Sequence, residues 1–171
     1  TIESNILHAG YIGLYVYYQN YYDASNSYHS LVQNNMISDF TYTAQMGIYG
    51  YRAERVEFYH NSVWINPGNN SYSYTCLYLY YADYPKVKNN LFVNTGNGRC
   101  LTCINTTLNS GDIDYNTYYS SNSSFVNWNN TEHSNLASLK AADANHNQNC
   151  NSSAPHFSDF SNLHYSTGTV P

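Results

Sequence analysis

The acidic and imidazole side chains are the first place to look for chemistry. The chain carries 11 carboxylates and seven histidines. Asp112 and Asp114 are the best-placed acids: two apart, they share one face of a strand. A two-carboxylate glycosidase needs its acids roughly 5 to 9.5 Å apart, which this spacing allows. Nothing beside them completes such a site, and an exposed strand preceded by a turn accounts for both. Arg52, Glu54 and Arg55 alternate in sign and read as a solvated loop with local ion pairs. The histidines, at 8, 29, 60, 133, 146, 156 and 164, are never spaced i, i+2 or i+4. That spacing gives no paired metal ligands. No G-x-S-x-G nucleophile turn and no phosphate-cradling glycine loop is present. The patterns predict no catalytic residue, no metal and no cofactor.

Four cysteines remain: Cys76, Cys100, Cys103 and Cys150. An even count suits disulfides in an oxidising compartment. Cys100 and Cys103 have C-x-x-C spacing, but a zinc site would want a second such pair or closely spaced histidines. A thioredoxin-type motif would want a helix starting at the first cysteine, and this one lies in a strand pattern. Five Asn-x-Ser/Thr sequons, at Asn69, Asn105, Asn122, Asn129 and Asn151, are glycosylation candidates if the chain is secreted through a glycosylating pathway.

The 171 residues make one domain. Only 10% are charged, the net charge is −5, and the six basic residues are scattered, which excludes a nucleic-acid surface. Apolar residues reach 42%, with 21 tyrosines among them, so the chain is no disordered acidic tail. No stretch approaches the roughly 20 apolar residues of a membrane span. An uncharged polar surface rich in Asn, Ser and Thr suits a secreted, extracellular β-protein. The chain opens at Thr1-Ile2, already inside its first repeat and with no signal peptide ahead. It therefore reads as a processed product or a piece of something longer.

What must position these residues is a repeat. Asn5, Asn35, Asn61, Asn90 and Asn116 each follow a bulky apolar residue by three and precede another by two. They recur every 30, 26, 29 and 26 residues, a period that means stacked units. A second block follows each asparagine: Gly13–Tyr17, Gly47–Tyr51, Cys76–Tyr80 and Cys100–Ile104, all alternating with period two. Two strand types in fixed order over a long period predict a parallel coil. Antiparallel hairpins would turn every 8 to 12 residues. Asparagine suits the corner because it tolerates the left-handed conformation and its amide can bond the asparagine beneath.

With these blocks on view the chain resembles the right-handed parallel β-helix, the pectate-lyase-like superfamily. The repeated Asn-Asn-[Leu/Met]-[Phe/Ile] segments at Asn34-Asn35 and Asn89-Asn90 carry the likeness. So do Asp114-Tyr-Asn-Thr-Tyr-Tyr119, Trp128-Asn129, Asn135–Leu139, Ala154–Phe157 and Asn162–His164, which are similar to the closing segment of secreted bacterial β-helix proteins. The resemblance implies an all-β fold of about five coils over residues 1–120. A closing segment with a short helix would fill residues 121–171 of the same domain. It does not fix an activity, because lyases, hydrolases and adhesins share the fold. The one helix-like stretch is 134–144, with Ser134 at its start. It is expected against the side or C-terminal end of the stack.

Aligning the second blocks fixes which side chains share a column. Leu14, Ile48, Leu77 and Leu101 point inward, followed by Val16, Gly50, Leu79 and Cys103. Tyr15, Tyr49, Tyr78 and Thr102 point outward, followed by Tyr17, Tyr51, Tyr80 and Ile104. Tyr18, Tyr21, Tyr22, Tyr28 and Tyr81 lie nearby. Cys76 and Cys100 align on adjacent coils in the outward set. At roughly 4.8 Å between Cα atoms they fall within disulfide range, so the predicted pairs are Cys76–Cys100 and Cys103–Cys150. Glu57 and Asp114 fall about two coils apart, too far to share a proton or a metal. The six column tyrosines form the candidate binding or assembly face, because a patch this large is unusual on a soluble monomer. They could stack simply to stabilise the sheet, bind sugars, or make a protein interface. A first coil with no cap ahead of it points toward covering by another subunit. The leading expectation is a secreted, non-catalytic structural β-helix. It would self-associate end to end or side by side into a filament or surface layer, with glycans on its Asn-rich surface. The alternative is a carbohydrate-binding or polysaccharide-cleaving β-helix from a longer enzyme.

Overall fold

A computed structural model describes residues 1–8, 11–20, 29–38, 46–66, 74–121 and 123–155, and the backbone of 157–159 and 162–165. It is a parallel β-solenoid with three faces. The first sheet stacks Ile2–Glu3, Ser30–Gln33, Val56–Tyr59, Lys86–Lys88 and Ile113–Asp114, all parallel. Ile6–His8, Met36–Ser38, Ser62–Ile65, Leu91–Asn94 and Thr117–Ser120 make the second. The third holds Ile12–Tyr17, Met46–Tyr51, Thr75–Tyr80, Arg99–Ile104 and Val126–Trp128, then the antiparallel Thr131–His133. About four turns result, where the repeat suggested about five. The asparagine block proves to contain two strands, one on either side of the asparagine.

Stacking one rung per strand spacing puts like residues over like. Ile2, Val32, Phe58, Val87 and Ile113 form one column of the interior. Leu7, Ile37, Val63, Phe92 and Tyr118 form a second, and Leu14, Ile48, Leu77, Leu101 and Val126 a third. From Val32 onward the first column is fully buried, and the core runs without a break from end to end. The gain from removing this apolar surface from water holds the three faces together.

The asparagine ladder is hydrogen-bonded along its whole length. Each Asn Oδ1 accepts both the side-chain amide and the backbone N–H of the asparagine one coil earlier. The amide contacts are 2.9 Å for Asn5 to Asn35, 2.9 Å for Asn35 to Asn61, 3.0 Å for Asn61 to Asn90 and 3.0 Å for Asn90 to Asn116. The backbone contacts run from 2.9 to 3.2 Å. The second amide hydrogen turns back to a carbonyl of the preceding coil, as from Asn61 to Val32 or Asn90 to Phe58. One expectation needs correcting. The left-handed corner residue is the one before the ladder asparagine: Ser4, Asn34, His60, Asn89 and Tyr115 have φ of 54–58°. The chain turns there, and the asparagine itself serves as a hydrogen-bonding strut.

The ladder stops on sulfur. Asn116 N–H donates to Cys150 Sγ at 3.2 Å, where a sixth asparagine oxygen would stand. Asn151 N–H donates to the Asn116 carbonyl, Asn147 N–H to that of Ile113, and Tyr118 Oη to Asn147 Oδ1 at 2.9 Å. Residues 147–151 thus lie under the last complete coil as a partial rung. The helix before them spans Leu136–Ala142 and buries Leu139 in the core. Its cap is Asn135, whose Oδ1 accepts from Ser138 N, rather than the expected Ser134. The closing strands Phe157–Asp159 and Asn162–Tyr165 pair antiparallel.

The cysteines differ from expectation. All four are buried free thiols, and neither predicted bridge, Cys76–Cys100 or Cys103–Cys150, is formed. Cys76 and Cys100 do neighbour one another, as Arg99 pairs with Thr75 and Leu101 with Leu77. But they face the core: Cys76 and Leu77 are both fully buried, as are Cys100 and Leu101. The third-sheet strand begins at a corner, so period-two alternation fails there. Cys76 Sγ donates to the Val93 carbonyl of the second sheet. The same column holds Gly13 and Gly47, and a Cβ on Gly47 would run into Val63.

Two outcomes follow. Asn90→Asp removes three donated bonds and sets a carboxylate against Asn116 Oδ1. With buried acceptors orphaned, a loss of about 3 kcal/mol or more in urea unfolding is expected. Asn5→Asp, in solvent, should cost about 1 kcal/mol or less; equal costs would show that the ladder is not what burial makes it. In thiol titration with Ellman's reagent the native protein should react slowly and the denatured protein should yield four thiols. Burial pushes the Cys76 thiol well above its usual range and Cys150 up to about 11. Two or none on denaturation would restore the disulfides.

Candidate functional site

The outward face of the third sheet is built as the register required. Tyr15 pairs with Tyr49 and Tyr49 with Tyr78; Tyr17 pairs with Tyr51 and Tyr51 with Tyr80. In the first column the rings are parallel. Their centroids lie 4.9 Å apart at 6° for Tyr15–Tyr49 and 5.2 Å apart at 13° for Tyr49–Tyr78. Tyr17 and Tyr51 stack at 5.5 Å and 12°, while Tyr80 tilts away by 42°. Tyr15 and Tyr17 remain 48% and 57% exposed; the rings beneath them are half-buried. Where the strand leaves the sheet, Tyr18, Arg52 and Tyr81 adopt positive φ. The Arg52 guanidinium sits over the Tyr18, Tyr51 and Tyr81 rings at 5.2–5.8 Å. Tyr21, Tyr22 and Tyr28 lie outside the described residues.

This stacking decides what the face can do. Sugars stack on the flat face of an aromatic ring, but within the columns the ring faces cover each other. Solvent meets ring edges and hydroxyls. Burial and the neighbouring phenols Tyr15 and Tyr78 push Tyr49 up to about 12, and Tyr15 and Tyr78 are also raised, chiefly by desolvation.

Below Tyr78 the column changes. Thr102 pairs with Tyr78, and Asn127 with Thr102. A pocket of about 260 Å³ opens there, lined by Met46, Thr75, Tyr78, Arg99, Thr102, Ile104 and Asn127. Thr75 and Thr102 are buried with hydroxyls 3.2 Å apart. The Arg99 guanidinium grips both oxygens of Glu132, with Nε at 3.0 Å, and Asn127 Nδ2 donates to Glu132 Oε1 at 2.7 Å.

A second cleft, about 410 Å³, lies on the first face, lined by His29, Arg55, Tyr84, Lys86, Asn109 and Asp112. The register sets Glu57, Lys86 and Asp112 in one outward column. Lys86 Nζ holds Glu57 Oε1 at 2.9 Å, with His29 Nδ1 3.4 Å from the same oxygen. That hydrogen bond raises the Lys86 pKa. Arg55 pairs with Glu54 at 2.7 Å and lies over Tyr84. Glu57 and Asp112 are two strand spacings apart, roughly 9.6 Å along the stack. The three column members stand one place before Phe58, Val87 and Ile113 and so follow the same register as the core, while His29, Arg55, Tyr84 and Asn109 come from turns outside it. The Asp112–Asp114 pair is buried rather than exposed. Asp112 accepts from Asn109 N at 2.6 Å, and Asp114 accepts both N and Nδ2 of Asn149 at 2.7 Å, fastening the partial rung. Those bonds hold the Asp114 carboxyl below its usual range against the opposing effect of burial, which is the largest single influence on it.

Among the histidines, His60 occupies a corner and His133 is buried. His146 is clamped between Asp143 Oδ2 at 2.9 Å and the Asn109 carbonyl at 2.8 Å. The sequons at Asn105, Asn129 and Asn151 are exposed; Asn69 and Asn122 lie outside the described residues. No helix among the described residues is long and apolar enough to cross a membrane.

The tyrosine column makes stability depend on alkaline pH. The folded state holds Tyr49 neutral up to about 12 against an ordinary value of 10.0. Its contribution is therefore complete below pH 10 and is lost as pH rises from there through the folded value. Tyrosinate absorbance of the native protein should rise later than that of the denatured protein. Superimposed curves would show the rings to be independent. No protein-family model matches this chain, and no curated protein or solved structure matches it either.

Proposed function

We propose that this chain is a secreted, non-catalytic structural β-helix of the right-handed, pectate-lyase-like kind, which self-associates outside the cell into a filament or surface layer. The observation that supports it is the third face. Two ranks of tyrosines lie in the open, with their ring faces turned to one another and their edges and hydroxyls outward. Such a ribbed surface suits packing against protein, where Tyr is favoured for its large contact area and low entropy cost. Exposed sequons at Asn105, Asn129 and Asn151 offer sites for glycans on the remaining surface. Sedimentation velocity over a concentration series, with electron microscopy, tests the reading. Ordered assemblies are expected, weakened about tenfold or more by Tyr17→Ser with Tyr51→Ser, with circular dichroism unchanged. A monodisperse monomer at every concentration would overturn it.

The charged cleft favours a second reading, a carbohydrate-binding or polysaccharide-cleaving β-helix. Lys86 stands there between two carboxylates, an arrangement able to handle protons. Release of unsaturated oligosaccharides from a uronate polymer, abolished by Lys86→Ala, would replace the structural reading with this one.

A further inference from the structure

We propose that the third face is a site of oxidative modification: one-electron oxidation of its tyrosines joins Tyr15 to Tyr49, or Tyr17 to Tyr51, by a carbon–carbon bond between the rings. The column rings form a grid two wide and three coils deep. Along the columns neighbouring centroids lie 4.9, 5.2, 5.5 and 5.7 Å apart. Across them Tyr15–Tyr17, Tyr49–Tyr51 and Tyr78–Tyr80 are 5.3, 6.1 and 6.0 Å apart. Tyr18 and Tyr81 extend the grid, at 4.4 Å from Tyr17 and 4.5 Å from Tyr80. An electron taken from one phenol is readily replaced from the ring beside it. Two oxidised rings therefore meet as neighbours wherever in the grid they form. An isolated surface tyrosine has no such partner.

The oxidant is hydrogen peroxide, acting through a haem peroxidase. Each phenol gives up one electron and its hydroxyl proton. The unpaired electron spreads onto the ring carbons ortho to the oxygen. Two such carbons, one from each ring, form the bond, and the hydrogen on each returns to the oxygen of its own ring. The chain loses two hydrogens, and one peroxide is reduced to two waters. Ring edges and hydroxyls face solvent, where oxidant arrives and protons depart. Burial and the neighbouring phenols keep Tyr49 protonated up to about 12. At neutral pH its electron and proton must therefore leave together.

Position selects the pairs. A bond between ring carbons needs two rings to turn from face to face toward edge to edge. Tyr49 and Tyr51 have a ring on both sides along the column. Tyr15 and Tyr17 lie on the edge strand of the sheet and are the most exposed of the six. They have room to turn, and each finds its partner one coil away. The bond would fasten the outermost strand to the next. It needs no second copy, so it stands whether or not the chain assembles.

The test treats the full chain with a haem peroxidase and hydrogen peroxide, then applies denaturing electrophoresis and peptide mass mapping. Dityrosine fluorescence is expected in the single-chain band, two hydrogens lighter, with the peptide of Tyr15 and Tyr17 joined to that of Tyr49 and Tyr51. Tyr15→Phe with Tyr17→Phe keeps both rings and should abolish this product, with circular dichroism unchanged. Tyr11→Phe with Tyr115→Phe removes phenols that are 52% and 55% exposed but stand outside the grid, and should leave the product intact. Absence of dityrosine from the single-chain band overturns the proposal, as does a bond mapped to any tyrosine outside the six column rings. Product that survives Tyr15→Phe with Tyr17→Phe, or that is lost in Tyr11→Phe with Tyr115→Phe, also overturns it. Linked copies without a single-chain product would overturn it too, while leaving the assembly reading in place.

Discussion

The fold depends on one repeated contact: an asparagine oxygen that accepts two N–H groups from the coil before it. This contact fixes the height of each rung and its rotation. A slip of one residue along a strand would carry every core side chain to the surface. Because the ladder side chains are buried from Asn35 to Asn116, a missing partner is not replaced by water. The apolar columns supply most of the stabilisation, but they tolerate sliding; the amides do not.

That regularity is also why so much was legible in the sequence. In a parallel stack with one rung per repeat, aligned residues are spatial neighbours. The pairing of Leu14 with Ile48, Leu77 and Leu101, and of Tyr15 with Tyr49 and Tyr78, follows from counting. What was illegible lies where counting fails. The strand of Cys76 starts in a corner, and both it and its neighbour Leu77 turn inward. Cys150 completes the asparagine column although it is no asparagine and lies 34 residues beyond Asn116. Glu57 and Lys86 are register partners, but His29 and Arg55 join them from turns that have no counterpart in the other coils.

The two polar features divide the molecule. The first face gathers acids, a lysine, an arginine and a histidine in a cleft; the third carries uncharged phenols. Between them the core is continuous, so each face can change by substitution of outward residues without repacking the interior. Thr102 illustrates this: it holds the register position of Tyr78 and Tyr49 on the coils before it, while Leu101 and Cys103 on either side stay in the core.

The asparagine column also has a direction. From one asparagine to the next, the amide bond always runs from the nitrogen of the earlier residue to the oxygen of the later one, from Asn5 to Asn35 and onward to Asn116. A coil that joined the column upside down would set oxygen against oxygen. At the carboxyl-terminal end the row is already closed, because Asn116 N–H is taken by Cys150 Sγ and residues 147–151 lie beneath it. Two copies therefore cannot be joined head to tail through this row. Its two ends are chemically different, and among the described residues only the Asn5 end has an amide oxygen with no asparagine donating to it.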